Sequence, residues 1–210
     1  MPTLLPVSLL IAVGAVWLVK VTSETAWSSG GGRLTNTAFC ALYAAWILFE
    51  LRVSLREEAH RSADYGTREF YGACHAATVL SALWFASPDR RPFALLVAGP
   101  VLFIAGVGFR VWAIFTLGRF YSHSVRTLAD HRIVETGPYR FLRHPAYSGM
   151  LLAHAGVVAF FFSLPALAVF LFGLAPAMVA RILVEERALM KIDGYAAFAR
   201  SRKRIVPEVW

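Results

Sequence analysis

"YSGMLLAHAGVVAFFFSLPALAVFLFGLAPAMVARIL", residues 147–183, holds two apolar runs with almost nothing between them. The runs, 147–163 and 166–183, meet at "SLP", 163–165. Each approaches the roughly 17–25 residues that a helix needs to cross about 30 Å of hydrocarbon. Pro165 has no N–H and its ring clashes with the preceding turn, so it stops the first helix, yet it suits the first turn of the second. The stretch therefore predicts a tight helical hairpin, with Pro176 kinking its second arm. Four further runs precede it, at 4–21, 37–53, 70–86 and 93–117. The expected fold is all-α: a polytopic membrane helix bundle of five to six spans with a C-terminal helical hairpin, five if that hairpin turns back before the far face. No repeat, low-complexity tract or linker interrupts the chain. Residues 1–210 read as a single membrane domain, with four N-terminal spans in 1–117.

Composition agrees with lipid as the solvent. The chain is 58% hydrophobic and 16% charged, where soluble domains run at about 45–50% and about a quarter. Its 16 Phe and 6 Trp suit a bilayer core and its interfaces. A net charge of +8 would suggest nucleic acid in a polar chain. In one this apolar it reads as Lys/Arg bias in cytoplasmic loops and attraction to anionic headgroups, so no nucleic-acid partner is expected. With six spans and a cytoplasmic N-terminus, the inner loops are 54–69, 118–146 and the C-terminal tail. They carry Arg56, Arg61, Arg68, Arg119, Arg126, Arg132, Arg140, Arg143, Arg187, Lys191, Arg200, Arg202, Lys203 and Arg204. The outer loops hold only Arg33, Arg90 and Arg91, with Lys20 at the boundary. That asymmetry puts both termini on the cytosolic side. The start, "MPTLLPVSLLIAVGAVWLV", has no basic n-region and no small-residue cleavage site, and reads as a retained first span. Cys40 and Cys74 lie within apolar runs and read as small core residues.

Polar residues concentrate at the hairpin's ends. In "RHPAYSG", 143–149, Pro145 can open a helix whose next N–H groups face whatever lies over the turn. Arg143, His144 and Tyr147 add side-chain donors there. The motif fits either an anion seat or an interfacial anchor. Glu185 and Glu186, in "RILVEERALM", fit a solvated helix face or a grip on a cation or ribose hydroxyl. Neighbouring helical residues point about 100° apart, so only one should face a given pocket. Arg110 lies roughly 10 Å deep at about 1.5 Å per residue. An ionisable group within a span marks a functional site whose partner must be named; a ligand carboxylate, Glu185 or Glu186 is the expected one, with snorkelling to the surface as the alternative. Glu50 reads as interfacial, and His75 and His154 as hydrogen-bonded to neighbouring helices. "GVG", 106–108, should let helices approach closely. The chain has no Gly-rich phosphate loop, HExxH, paired CxxC or GxSxG elbow, which weighs against hydrolase, ATPase and metal-enzyme chemistry; no metal ligands are expected.

"LGRFYSHSVRTLADHRIVETGPYRFLRHPAYSGMLL", 117–152, followed after the hairpin by "EERALMKIDGYAAFARSRKRIVP", 185–207, resembles the isoprenylcysteine carboxyl methyltransferase family. That family is related to phospholipid N-methyltransferases. The likeness rests on H-x-[IL]-V-x-x-G-x-Y, RHPxYxG, a short hairpin, EE and a Y-x-x-[YF]…P tail, over about the last hundred residues. It implies a helical membrane bundle that binds S-adenosyl-L-methionine in a cytosol-facing pocket, makes 118–210 the cofactor-binding region, and brings a lipid substrate through an opening to the bilayer. By the same resemblance His131, Ile133, Val134, Gly137 and Tyr139 would line the adenine and ribose. His144, Pro145 and Tyr147 would lie along the methionine part, with Glu185 or Glu186 taking a ribose hydroxyl or the amino group. Arg143 and Arg110 become candidates to orient an anionic acceptor. Two departures stand out: "DGY", 193–195, is shorter than the usual G-[ED]-E-Y and lacks its carboxylates, and Phe198 stands where a second Tyr is common.

The resemblance implies an integral membrane methyltransferase, in the inner or plasma membrane if the source is a bacterium, with its active site cytosolic. Its acceptor would be a prenylated substrate or lipophilic small molecule, and membrane lipids its other partners. A carboxylate acceptor needs no general base, because the sulfonium already carries an activated methyl group. A phenol or amine would need proton removal, for which His144, His123 or a Glu would serve. The competing activities are phospholipid N-methylation and an NADPH-dependent sterol-type membrane reduction.

Overall fold

A computed structural model describes residues 4–22, 30–55, 66–86, 91–121 and 133–210. His131, His123, Arg56, Arg61, Arg90, Arg126 and Arg132 lie outside the described residues. The described chain forms α1 (Leu4–Thr22), α2 (Gly30–Leu55), α3 (Thr67–Trp84), α4 (Phe93–Leu117), α5 (Pro145–Phe161), α6 (Leu164–Val169), α7 (Ala175–Leu189) and α8 (Tyr195–Arg200). It is a polytopic helical membrane bundle. Three helical stretches, Gly32–Leu55, Phe93–Phe120 and Leu164–Leu189, are long and apolar enough to cross a membrane, and Val7–Thr22 and Pro145–Phe161 are shorter apolar helices. The sequence runs looked more uniform than this. The hairpin's arms are unequal, because α5 has only 17 residues, and α3 opens on Thr67, Arg68 and Glu69.

The hairpin forms as its prolines require. Phe162 adopts φ 41°, ending α5, and the Ser163 hydroxyl accepts from the Ala166 N–H at 3.3 Å to start α6. Pro176 leaves the carbonyl four residues before it without its regular donor. The chain answers with a wider π turn at Phe170–Leu174, where the Ala175 N–H reaches back to the Phe170 carbonyl.

Glycines set the closest helix contact. A methyl group on Gly106 would stand 2.3 Å from the Ala153 nitrogen, and one on Gly149 would stand 2.6 Å from the Arg110 nitrogen. Gly99 meets the Phe160 backbone and Gly156 that of Phe103 in the same way. Gly99 and Gly106 are seven apart on α4, as are Gly149 and Gly156 on α5, so each pair shares one face. In lipid, backbone approach over small residues is a principal source of helix association. The close approach expected of "GVG" belongs to Gly106 alone, since Gly108 faces open space. Gly106→Ala is expected to destabilise the bundle by about 1–3 kcal/mol through overpacking, whereas Gly108→Ala should be neutral or gain up to about 1 kcal/mol of helix propensity. Thermal unfolding of the two variants in one detergent checks this; equal midpoints would refute it. Beyond this seam, Phe39 stacks on Phe160 at 4.1 Å and meets Phe161 edge-on at 5.5 Å, joining α2 to the end of α5. Both cysteines are free thiols; Cys40 is a buried core residue, as expected, whereas Cys74 is only half-buried.

Candidate active site

The start of α5 is held from several sides. His144 is the cap residue and Pro145 opens the helix. The preceding strand-like residues pair with the C-terminal tail: the Arg143 N–H donates to the Lys203 carbonyl and the His144 N–H to that of Arg204, both at 2.9 Å. The Ser148 hydroxyl donates to the Ile205 carbonyl at 2.6 Å. The free N–H groups expected at this helix start are in part consumed. Those of Tyr147 and Ser148 bond to the His144 carbonyl at 3.1 and 3.2 Å, because the first turn closes on its own cap. Charge recognition here falls to side chains.

Glu186 of α7 is the hub of those side chains. It is 5% exposed. Its Oε1 accepts from Arg143 Nη1 at 2.6 Å and from His144 Nε2 at 3.2 Å, and its Oε2 accepts from Arg204 Nε at 2.9 Å. Arg204 also lies over the Trp210 ring at 4.8 Å, so the tail is tied to the same knot. Glu185 turns to the same helix start, taking the Tyr147 hydroxyl at 2.8 Å. Only one of the two carboxylates was expected to face the site. Both do, because α5 presents His144 and Tyr147 one turn apart and each meets a different carboxylate. Arg204 carried no signal beyond its charge, as one of several tail cations.

The segment before this turn packs against α4 and α8. Gly137 adopts φ 56°, and a methyl group there would stand 2.8 Å from Thr116 Oγ1, so the turn Gly137–Arg140 lies close on the end of α4. Tyr139 and Val134 pack with Ala113, Ala146, Leu117 and Tyr121. Ile133 points the other way, to Tyr195, Phe198 and Ala199. Burial pushes the Tyr139 phenol well above its ordinary range, with nearby phenol and carboxylate charge adding to the effect. It therefore stays neutral. Ile133, Val134, Gly137, Tyr139, His144, Pro145, Tyr147, Glu185 and Glu186 are thus brought to one end of the bundle.

Arg110 has a different partner from the one its position suggested. Its Nε and Nη2 grip Glu50 at 2.6 and 2.8 Å, with Trp46 Nε1 adding a bond to Glu50 at 3.0 Å. Nη2 also reaches the Tyr121 hydroxyl at 2.9 Å, and Nη1 the Ala146 carbonyl at 3.2 Å. Glu50 is buried, not interfacial. A signal existed: one acid and one base, each isolated in an apolar run, stabilise each other far better than either could alone in lipid. His75 bonds across helices to Tyr43 at 2.8 Å, as expected. His154 does not. Its Nδ1 donates to the Met150 carbonyl of its own helix at 2.8 Å, and its ring meets His75 edge-on at 4.4 Å.

Residues 98–191 match the model of the isoprenylcysteine carboxyl methyltransferase (ICMT) family. The chain is 33% identical over 132 residues to the protein-S-isoprenylcysteine O-methyltransferase of Saccharomyces cerevisiae, covering 58% of this chain and 55% of that one. It is 38% identical over 60 residues to a probable protein-S-isoprenylcysteine O-methyltransferase of Oryza sativa subsp. indica, 28% of this chain and 31% of that one. The same identity over 60 residues relates it to protein-S-isoprenylcysteine O-methyltransferase B of Arabidopsis thaliana, 28% of this chain and 30% of that one. The chain thus spans about half the length of the yeast relative, and about a third of the plant ones.

Proposed function

We propose, from the match of residues 98–191 to the isoprenylcysteine carboxyl methyltransferase family model, that this integral membrane protein transfers a methyl group from S-adenosyl-L-methionine to the carboxylate of a prenyl-cysteine or a similar isoprenoid or lipid acid. The observation that carries the reading is the knot at Glu186, which joins the RHPxY turn, the EE pair and the tail across the hairpin.

The residues present fit such a cofactor. Glu185 offers a carboxylate to a ribose hydroxyl or an ammonium group, and Ile133 and Val134 offer apolar surface to an adenine. Buried donors without a partner among the described residues, Arg143 Nε and the Tyr195 hydroxyl, suit a carboxylate. When bound, the cofactor supplies a methyl group already activated on a sulfonium. The chain's task is then positioning: nucleophile, methyl carbon and sulfur must lie in line at near-attack distance. Arg143 orients the acceptor carboxylate. Because Glu186 already occupies its Nη1, Arg143 can offer only part of its fork, and the acceptor oxygen keeps its nucleophilicity. Arg110 orients through the backbone, since most of its five N–H donors are committed to Glu50, Tyr121 and the Ala146 carbonyl. Carboxylate and sulfonium neutralise each other as they react, so a dry pocket at the membrane edge favours the transition state. The cations Arg119, Arg140, Arg143, Arg187, Lys191, Arg200, Arg202, Lys203 and Arg204 follow the end of α4, the start of α5 and the end of α7. Their clustering supports a cytosolic site and cytosolic termini.

The test uses purified protein, methyl-labelled S-adenosyl-L-methionine and a panel of prenyl-cysteines, isoprenoid acids, fatty acids and phospholipids. Label released by alkali as methanol is expected, with a prenyl-cysteine among the acceptors. Alkali-stable label on a phospholipid amine would replace the reading with N-methylation.

A further inference from the structure

The hydroxyl of Tyr195 is one of the two buried donors that the proposed site leaves without an assigned ligand group. Tyr195 is 3% exposed, and its oxygen has no hydrogen-bond partner among the described residues. Arg143 Nε is in the same condition. Buried donors almost always find acceptors, because leaving one unmade forfeits the hydration it had in the unfolded chain. Of the other orphaned side-chain atoms among the described residues, Asn36 Nδ2 and His154 Nε2 lie on fully buried side chains, and Tyr71 Oη is on a ring edge-on to Tyr147 at 6.5 Å. Arg143 and Tyr195 instead flank the Glu186 knot.

The fold shows why Tyr195 arrives there. Gly194 adopts φ 84°, a left-handed conformation that turns the chain sharply after α7. The Tyr195 N–H then bonds the Ile192 carbonyl at 3.1 Å, and the ring packs on Phe198 at 5.7 Å, with Ile133 against the same cluster. The position is fixed by apolar packing on the ring and by backbone bonds, so the hydroxyl is not needed to hold it. Burial, and then the charges of Glu186 and Glu185, raise its pKa, while Arg143 and Arg204 act in the opposite sense. The phenol is therefore a protonated donor, set among the same charges as Arg143. Two guanidinium groups, Arg143 and Arg204, share the single carboxylate of Glu186. Glu185 lies beside them, so what marks the place as a seat for an anion is its pair of buried donors without a partner among the described residues.

We infer that Tyr195 Oη and Arg143 Nε are paired donors to one ligand carboxylate, borne either by the methionine part of the cofactor or by the methyl acceptor. The inference rests on the methyltransferase reading above.

Tyr195→Phe removes the hydroxyl and leaves the ring. Binding to the full-length protein is measured calorimetrically with S-adenosylhomocysteine against methylthioadenosine, which lacks the amino-acid part. A second pair sets N-acetyl-S-farnesylcysteine against its methyl ester. The variant should lose roughly tenfold in affinity for one carboxylate-bearing ligand, the effect of a hydrogen bond to a charged group, and hold its carboxylate-free counterpart within about twofold of wild type. Loss on S-adenosylhomocysteine assigns the seat to the cofactor; loss on the farnesylcysteine assigns it to the acceptor. Arg143→Lys keeps a cation beside Glu186 but removes Nε, and the double variant should lose less than the product of the single losses, as residues sharing one partner do. Unchanged affinities for all four ligands, or equal losses within each pair, would overturn the inference. Binding stoichiometry separates lost affinity from lost folded protein. Wild-type protein that binds neither S-adenosylhomocysteine nor the farnesylcysteine would bring down the methyltransferase reading itself, and the seat with it.

Discussion

Glu186→Ala is expected to lower S-adenosylhomocysteine affinity and methyl transfer by about 10²–10³-fold, the equivalent of roughly 3–4 kcal/mol and within what breaking a buried ion pair costs. The substitution leaves His144 without its acceptor, and Arg143 and Arg204 facing each other without the carboxylate they share. Their mutual repulsion acts on every part of the site at once. Arg143 and His144 belong to the turn before α5, and Arg204 to the tail that pairs with that turn's backbone. Glu186→Gln should lose less, since it keeps the side chain's size and one carbonyl acceptor. Calorimetric binding together with turnover of labelled S-adenosyl-L-methionine measures both. If Glu186→Ala stays within about threefold of wild type, less than 1 kcal/mol, the knot is not the organising element of the site.

A second large effect is expected at the buried ion pair between α2 and α4. Glu50→Ala should destabilise the bundle by roughly 3–5 kcal/mol by stranding Arg110 as an unpaired buried cation. At about 2–4 °C per kcal/mol for a chain of this size, the midpoint in detergent should fall by about 6–20 °C. The pair is bidentate at 2.6 and 2.8 Å and connects α2 to α4, and Arg110 passes the tie to α5 through the Ala146 carbonyl. Arg110→Ala should fall comparably, because it strands Glu50. Replacing both by methionine should recover most of the loss, since a buried ion pair and a well-packed apolar pair are often close in stability. A Glu50→Ala midpoint within about 2 °C of wild type, worth no more than about 1 kcal/mol, would contradict the account.

Much of the architecture was legible along the chain because it depends on local chemistry. Apolar runs of helical length report solvent and span, and the hairpin at Ser163–Pro165 follows from a ring that cannot continue a helix. The family resemblance likewise rests on residues close in sequence, RHPAYSG and EE among them. The pairings were harder. Glu50 reads as interfacial and Arg110 as a charge seeking a ligand carboxylate, Glu185 or Glu186; their union depends on which faces α2 and α4 turn to each other. Glu185 and Glu186 were told apart only by the placement of α5.

From its residues alone the chain establishes a helical membrane hairpin, a basic end and the groups available for chemistry there, because helix length, proline breaks and charge are properties of short segments. Which carboxylate meets which cation was left to packing. Gly99, Gly106, Gly149 and Gly156 bring α4 and α5 into backbone contact, and that contact sets the rotation and register from which each side chain reaches its partner.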